Sequence, residues 1–190
     1  LHRASRSPST GRKCIQHECW KSDMTIFTEP ITTPQFEPFG QLIAAPESFG
    51  RQSFATGLSH GDRAPVLSTT HTPPFRLPLT LDKMECHPHS SQSFLPLDVT
   101  RWLVVVSLSL EPTDIRAFVV GPGVGVTIAR GVWHYQLTAL DRSARFAVLM
   151  WKNGAADDDQ FARIEPVQVQ EATATLDGDC ELPPPVRADL

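Results

Sequence analysis

The middle of this chain is a series of short apolar runs, each closed by turn residues, and few folds accept such a pattern. The runs cover residues 93–97, 102–108, 115–120, 124–128, 132–137 and 144–151. Each is rich in aliphatic, β-branched or aromatic residues and is too short for an ordinary helix. Gly121-Pro122-Gly123 marks a turn between two of them. Several short strands at close spacing predict an all-β sandwich or barrel of jelly-roll type.

The bulk numbers bound the size and exclude some partners. A chain of 190 residues with 41% hydrophobic content fits one domain plus tails, with one real core. A net charge of −4 argues against nucleic acid, whose binding needs a clustered basic face. The longest purely aliphatic run, residues 103–106, fits within a strand and is far too short for a membrane span. Cys14, Cys19, Cys86 and Cys180 follow no framework spacing, which predicts reduced thiols and a cytoplasmic protein. Cys14, His17 and Cys19 hint at a zinc knot that lacks a fourth ligand.

Composition divides the chain in three. Residues 1–23 are basic, with Arg3, Arg6, Arg12 and Lys13, and have no apolar segment of the kind a secretory signal needs. They read as an extension ahead of Met24, where the pattern begins. Residues 24–170 form the expected domain, and residues 171–190, with Pro183-Pro184-Pro185, a flexible tail. Within the domain, Phe36, Phe39, Leu42 and Ile43 fit a short helix or turn entering a strand. Residues 45–80 read as long loops with short strands, and the polar stretch from Asp157-Asp158-Asp159 as the place for one short helix.

Two polar constellations interrupt the apolar pattern. In Glu85-Cys86-His87-Pro88-His89-Ser90-Ser91-Gln92, the residues Glu85, His87 and His89 alternate, so on a strand they share one face. A bend after Ser90-Ser91 turns Gln92 toward the same space. The second constellation, Arg130-Gly131-Val132-Trp133-His134, brings a distant imidazole after a glycine turn. Carboxylate, imidazole and amide oxygen together suit a divalent metal such as Ni, Mn, Fe(II) or Zn, and the lack of thiolates argues against a structural zinc. The competing reading makes His87 and His89 solvent-facing loop residues, since Pro88 cannot join a sheet ladder. Arg116 shares a strand face with Phe118 and Val120. It reads either as an anion clamp for a carboxylate or as a surface arginine at a strand end.

At these residues the chain resembles the ureidoglycolate lyase family, whose members are cupins. The likeness lies in Glu29-Pro30-Ile31-Thr32 through Phe36-Glu37-Pro38-Phe39-Gly40, in residues 81–97, and in Arg116-Ala117-Phe118 through His134. The chain departs from the family at Cys86, His89, residues 127–129, Tyr135 and Met150-Trp151, and it has no clean counterpart to an Arg-containing segment expected near residues 52–64. The resemblance implies a single cupin barrel, a homodimer, and an enzyme of allantoin and purine breakdown that splits ureidoglycolate into glyoxylate and urea. It implies a metal on Glu85, His87, Gln92 and His134, the substrate carboxylate near Arg116, and His89 as the nearest general acid. A cupin oxygenase or isomerase built on His87, His89, Gln92 and His134 is the alternative. A third reading is a small-carboxylate-binding cupin without catalysis.

Overall fold

The computed structural model describes residues 24–172, whose regular secondary structure is almost wholly strand. In chain order these are β1 (Met24–Pro30), β2 (Gly40–Ile43), β3 (Ala64–Thr72), β4 (Pro74–Phe75), β5 (Leu79–Cys86), β6 (Gln92–Pro96), β7 (Trp102–Ser107), β8 (Arg116–Val120), β9 (Gly125–Ile128), β10 (Trp133–His134), β11 (Thr138–Leu140), β12 (Ala144–Lys152) and β13 (Gln160–Gln170). One helix, α1 (Thr33–Phe36), leads into β2 as the apolar spacing predicts. The zinc-knot reading, the extension before Met24 and nearly all of the C-terminal tail lie outside the described residues. Among the described residues no helix is long and apolar enough to cross a membrane.

The strands form two sheets. The smaller runs β2-β9-β6-β12-β3, and the larger runs β10-β5-β13-β1-β8-β7-β11-β4. A further pairing of β10 with β7 closes six strands of the larger sheet into a ring. The ring is mixed, because β1 runs parallel to both β13 and β8. All-β architecture is therefore what the chain adopts, with one sheet curled on itself and the other laid against it.

Two apolar interiors follow from this arrangement, and β7 borders both. Trp102, Val104 and Val106 face the layer between the sheets, where they pack with Phe94, Phe118, Val126 and Phe146. Leu103 and Val105 face the inside of the ring, with Leu81, Met84, Ala117, Val167 and Val169. A strand covered on both sides needs apolar residues at every position, which is why 102–106 reads as one unbroken run. Edge-to-face contacts join Trp102 to Phe146 and Phe36 to Phe118, with ring centroids 5.2 and 6.0 Å apart. Each is worth about 0.5–1.5 kcal/mol beyond its buried area.

Two expectations are corrected. The stretch read as loops contains β3, a nine-residue strand paired along its whole length with β12. Most of its positions are exposed, apolar Val66 and Leu67 among them, and Ser68, Thr70 and Thr72 stand on its inward side, so the apolar alternation that marks a strand is missing. The stretch expected to hold a short helix instead gives β13, eleven residues long, between β5 and β1. Only Val167 and Val169 of β13 are fully buried, and a shift of register between Arg163 and Val167 breaks its period.

Candidate metal centre

Cross-strand pairing sets the first two residues of the site. Glu85 on β5 lies opposite His134 on β10, and His134 lies opposite Val106 on β7. Directly opposed residues point to the same side of a sheet. Val106 belongs to the interlayer core, so Glu85 and His134 face that layer too. Their neighbours Met84, Trp133 and Tyr135 point the other way, into or against the ring interior. Before β10 the chain turns at Gly131, whose φ of 78° is the left-handed conformation that favours glycine. The Gly131 N–H donates to the carbonyl of His87 at 2.8 Å, which ties the two constellations together. Gln92 opens β6 on the facing sheet and reaches across the layer.

The side-chain atoms converge. One ligand atom each from Glu85, His87 and His134 lies within 4.8 Å of the others. The Oε1 of Gln92 is 3.0 Å, and the Oε1 of Glu85 3.2 Å, from Nε2 of His134. Both ring orientations are fixed from behind. Nδ1 of His134 donates to the Val132 carbonyl at 3.0 Å, and Nδ1 of His87 donates to the Asp158 carbonyl at 2.8 Å. Each Nε2 is thereby left as the atom aimed at the cluster.

This arrangement calls for positive charge. Nε2 of His134 faces two oxygen acceptors, which is favourable only if a proton or a cation lies among them. Nε2 of His87 is buried without a hydrogen-bond partner, a costly state unless something binds it. Two imidazole nitrogens, one carboxylate and one amide oxygen match the ligand preferences of a divalent transition metal. The donor set therefore fits the metal that the resemblance implies. Burial tends to raise the Glu85 carboxyl, but the hydrogen bond and charge of His134 and the charge of His87 hold it below its ordinary value.

A supporting group came from a segment with no chemical pattern in the sequence. Asp158, in the loop between β12 and β13, is buried. Its carboxylate accepts the His89 backbone N–H at 2.8 Å and the Ser90 hydroxyl at 2.5 Å, while its carbonyl holds His87. Buried Arg63 lies 3.6 Å from the same carboxylate and donates to Asp157 at 2.8 Å. Burial opposes ionisation of Asp158, yet Ser90, the His89 amide and Arg63 together hold its carboxyl below the ordinary value. Arg63 lies in the 52–64 stretch and contacts the acidic loop that backs His87.

Glu85, His87, Gln92 and His134 come together; His89 and Arg116 do not join them. β5 ends at Cys86, so the alternation that puts Glu85, His87 and His89 on one face stops before Pro88. The His89 ring is half exposed and lies 3.8 Å from Asp157. Arg116 faces the expected side, with its guanidinium 5.0 Å from the Phe118 ring centroid. It does clamp a carboxylate, but that of Glu29, by two bonds of 2.9 and 2.6 Å. Cys86 is buried and free, and burial pushes its thiol up, which makes it a poor nucleophile.

Beside the cluster a cavity of about 480 Å³ opens between the sheets, with Glu85, Gln92, Phe94, Gln136 and Val148 in its wall. A metal-ligand cluster in the wall of a polar cavity is a site for a small chelating ligand.

The comparisons with known proteins point to one family. The family model described as ureidoglycolate lyase matches residues 23–170. The ureidoglycolate lyase of Chelativorans sp. is 35% identical over 76% of this chain and 95% of its own length. A putative ureidoglycolate lyase of Agrobacterium fabrum is 35% identical over 70% of this chain and 87% of its own. The ureidoglycolate lyase 2 of Rhizobium meliloti is 34% identical over 75% and 96%. With a model that spans the described strands and relatives matched over nearly their whole length, the chain belongs to the ureidoglycolate lyase family.

Proposed function

We propose that this protein is a ureidoglycolate lyase, which splits ureidoglycolate into glyoxylate and urea with the help of one divalent ion. The observation that carries the reading is the convergence of Glu85, His87, Gln92 and His134 at the wall of the interlayer cavity. These four residues would hold the ion, and manganese, nickel, iron(II) and zinc all suit their donors. When bound, the ion supplies a Lewis acid that makes the substrate hydroxyl more acidic and neutralises its carboxylate.

The rest of the reaction is a proton transfer between two atoms on one carbon. The hydroxyl loses its proton as the carbonyl forms, the C–N bond breaks, and the urea nitrogen gains a proton. Glu85 is the only ionisable side chain among the residues lining the cavity. Its carboxylate is therefore placed to take the hydroxyl proton and return it to the departing nitrogen. His89 faces away, so this account does not use it as the acid. The same exposure removes the motive for an oxygenase or isomerase built on His89. Arg116 is held by Glu29 and in this reading does not bind the substrate directly.

The reading also includes a cytoplasmic homodimer acting in allantoin breakdown, as the family resemblance implies. The test is direct. Purified protein supplied with manganese or nickel should release urea from ureidoglycolate well above the metal-only rate. No urea above that background would sink the assignment and leave a carboxylate-binding role.

A further inference from the structure

One strip of the interlayer surface breaks the rule that inward faces are apolar. On β12 the inward residues are Ala144, Phe146 and Val148, all part of the interlayer core. Their cross-strand partners on β3 are Thr72, Thr70 and Ser68. Opposed residues share a face, so these three side chains lie on that side as well, Thr72 buried, Thr70 half-buried and Ser68 at the exposed end with its hydroxyl 3.5 Å from the Val148 carbonyl. All three line the cavity that holds Glu85 and Gln92. A sandwich normally fills such positions with aliphatic side chains. Here they border open space, and β3 is the outermost strand of its sheet.

The charge pattern of the cavity is one-sided. Its single ionisable group, Glu85, sits at the cluster end. The β3 end carries no cation and no carboxylate; its polar groups are hydroxyls that both donate and accept, set among Pro73, Phe75 and Val148. An anionic group has nothing to pair with there. A neutral planar group with a carbonyl and N–H donors does.

We propose that Ser68, Thr70 and Thr72 on β3 form the binding strip for the ureido end of the substrate, while the cluster holds the hydroxy-acid end. The inference rests on the lyase reading above and adds the residues that select a carbamoylated nitrogen. A cavity of about 480 Å³ spans both ends, so one small molecule can touch both. The strip would discriminate an N-carbamoyl hydroxy acid from a plain hydroxy acid, because a site built to hydrogen-bond a group rejects analogues that lack it.

The test compares the wild type with Thr70→Val, Thr72→Val and the double variant. Threonine and valine share a shape, so the change removes the hydroxyl alone; Ser68→Ala, at the more open end, is the variant least able to disturb folding. Three quantities are read: kcat/KM for ureidoglycolate, inhibition by glyoxylate, and bound metal per chain. The double variant should lose about 10- to 100-fold in kcat/KM, with glyoxylate inhibition and metal content unchanged. Full kcat/KM in the double variant and in Ser68→Ala would overturn the strip while leaving the lyase reading intact. So would an equal loss of glyoxylate inhibition, since glyoxylate has no ureido group. A wild type that releases no urea would overturn the lyase reading and the strip with it.

Discussion

The two faces of β7 look into interiors of opposite character. Inside the ring, six strands close on themselves, and Leu103, Val105, Leu81, Val167 and Val169 fill the space with aliphatic side chains. Between the sheets, the layer begins just as dry, around Trp102, Phe118 and Phe146, and then opens into a polar cavity. A closed ring has no free strand edge. The sandwich layer has an outermost strand, β3, and a margin where Glu85 and His134 enter from β5 and β10. Both sides of the sheet bury apolar core, but the chemistry lies on the interlayer side alone, so changes on the two sides should have different consequences.

The largest effect should come from the ring. Val105 is 2% exposed and lies in a wholly apolar and aromatic cluster there. Val105→Asp places a carboxylate in that cluster with no partner, a change of several kcal/mol. That is a large part of the 5–15 kcal/mol typical of a domain's total stability. The expected outcome is loss of the folded protein, read as loss of cooperative melting by circular dichroism. A variant that melts like the wild type would show that the ring is not the stabilising unit.

A smaller effect, on function before fold, should follow from the loop that backs His87. Asp158→Asn keeps the shape but weakens the hold on Ser90 and Arg63. The backbone carbonyl that orients His87 stays, so loosening the loop that places it should cost only part of the roughly 10- to 100-fold in metal affinity that loss of an orienting group costs. We expect that partial loss in a metal titration, with a shift in Tm of only a few degrees. Unchanged affinity would make the loop mere packing.

Acid should act on the same loop. Asp158 and Glu85 both titrate below their ordinary values when folded. Their contribution is complete above the unfolded carboxylate range, at about 4, and is lost as pH falls through the lowered folded values. Melting curves from pH 7 to pH 3 should therefore show Tm falling on the acid side, less steeply in Asp158→Asn than in the wild type. Parallel acid limbs would remove Asp158 from the account.

Arg116→Lys should do least. Its guanidinium is partly exposed and already bound to Glu29, and pairs of that kind contribute about 0–1 kcal/mol. Glyoxylate inhibition should stay within twofold of wild type. A marked loss would return Arg116 to the role of anion clamp that its strand face suggests.

What the sequence revealed follows the same division. Runs covered on both faces were legible as strands, and 102–106 is the clearest because both interiors demand apolar residues. β3 and β13 were hard to read because each is buried on one face at most, and on β3 that face is hydroxylic. Strand parity placed Glu85 correctly relative to His134's layer, then failed at His89, because β5 ends at Cys86 and parity has no meaning beyond a strand. Asp158 left no signal: a run of three aspartates is ordinary on a surface, and only the fold brings the middle one under His87. The Arg116 face was legible, but its partner, 87 residues away in sequence, was not.

The central claim is that Glu85, His87, Gln92 and His134 share one ion, and metal content per chain tests it most directly. Protein expressed with added manganese or nickel should carry about one ion per chain, since four convergent donors make one site. His87→Ala and His134→Ala should each fall to a small fraction of that value while keeping the wild-type circular dichroism spectrum. The double variant should lose nothing more, because one missing ligand already empties the site. A wild type that remains empty under metal supplementation, or either single variant that keeps a full ion, would contradict the account.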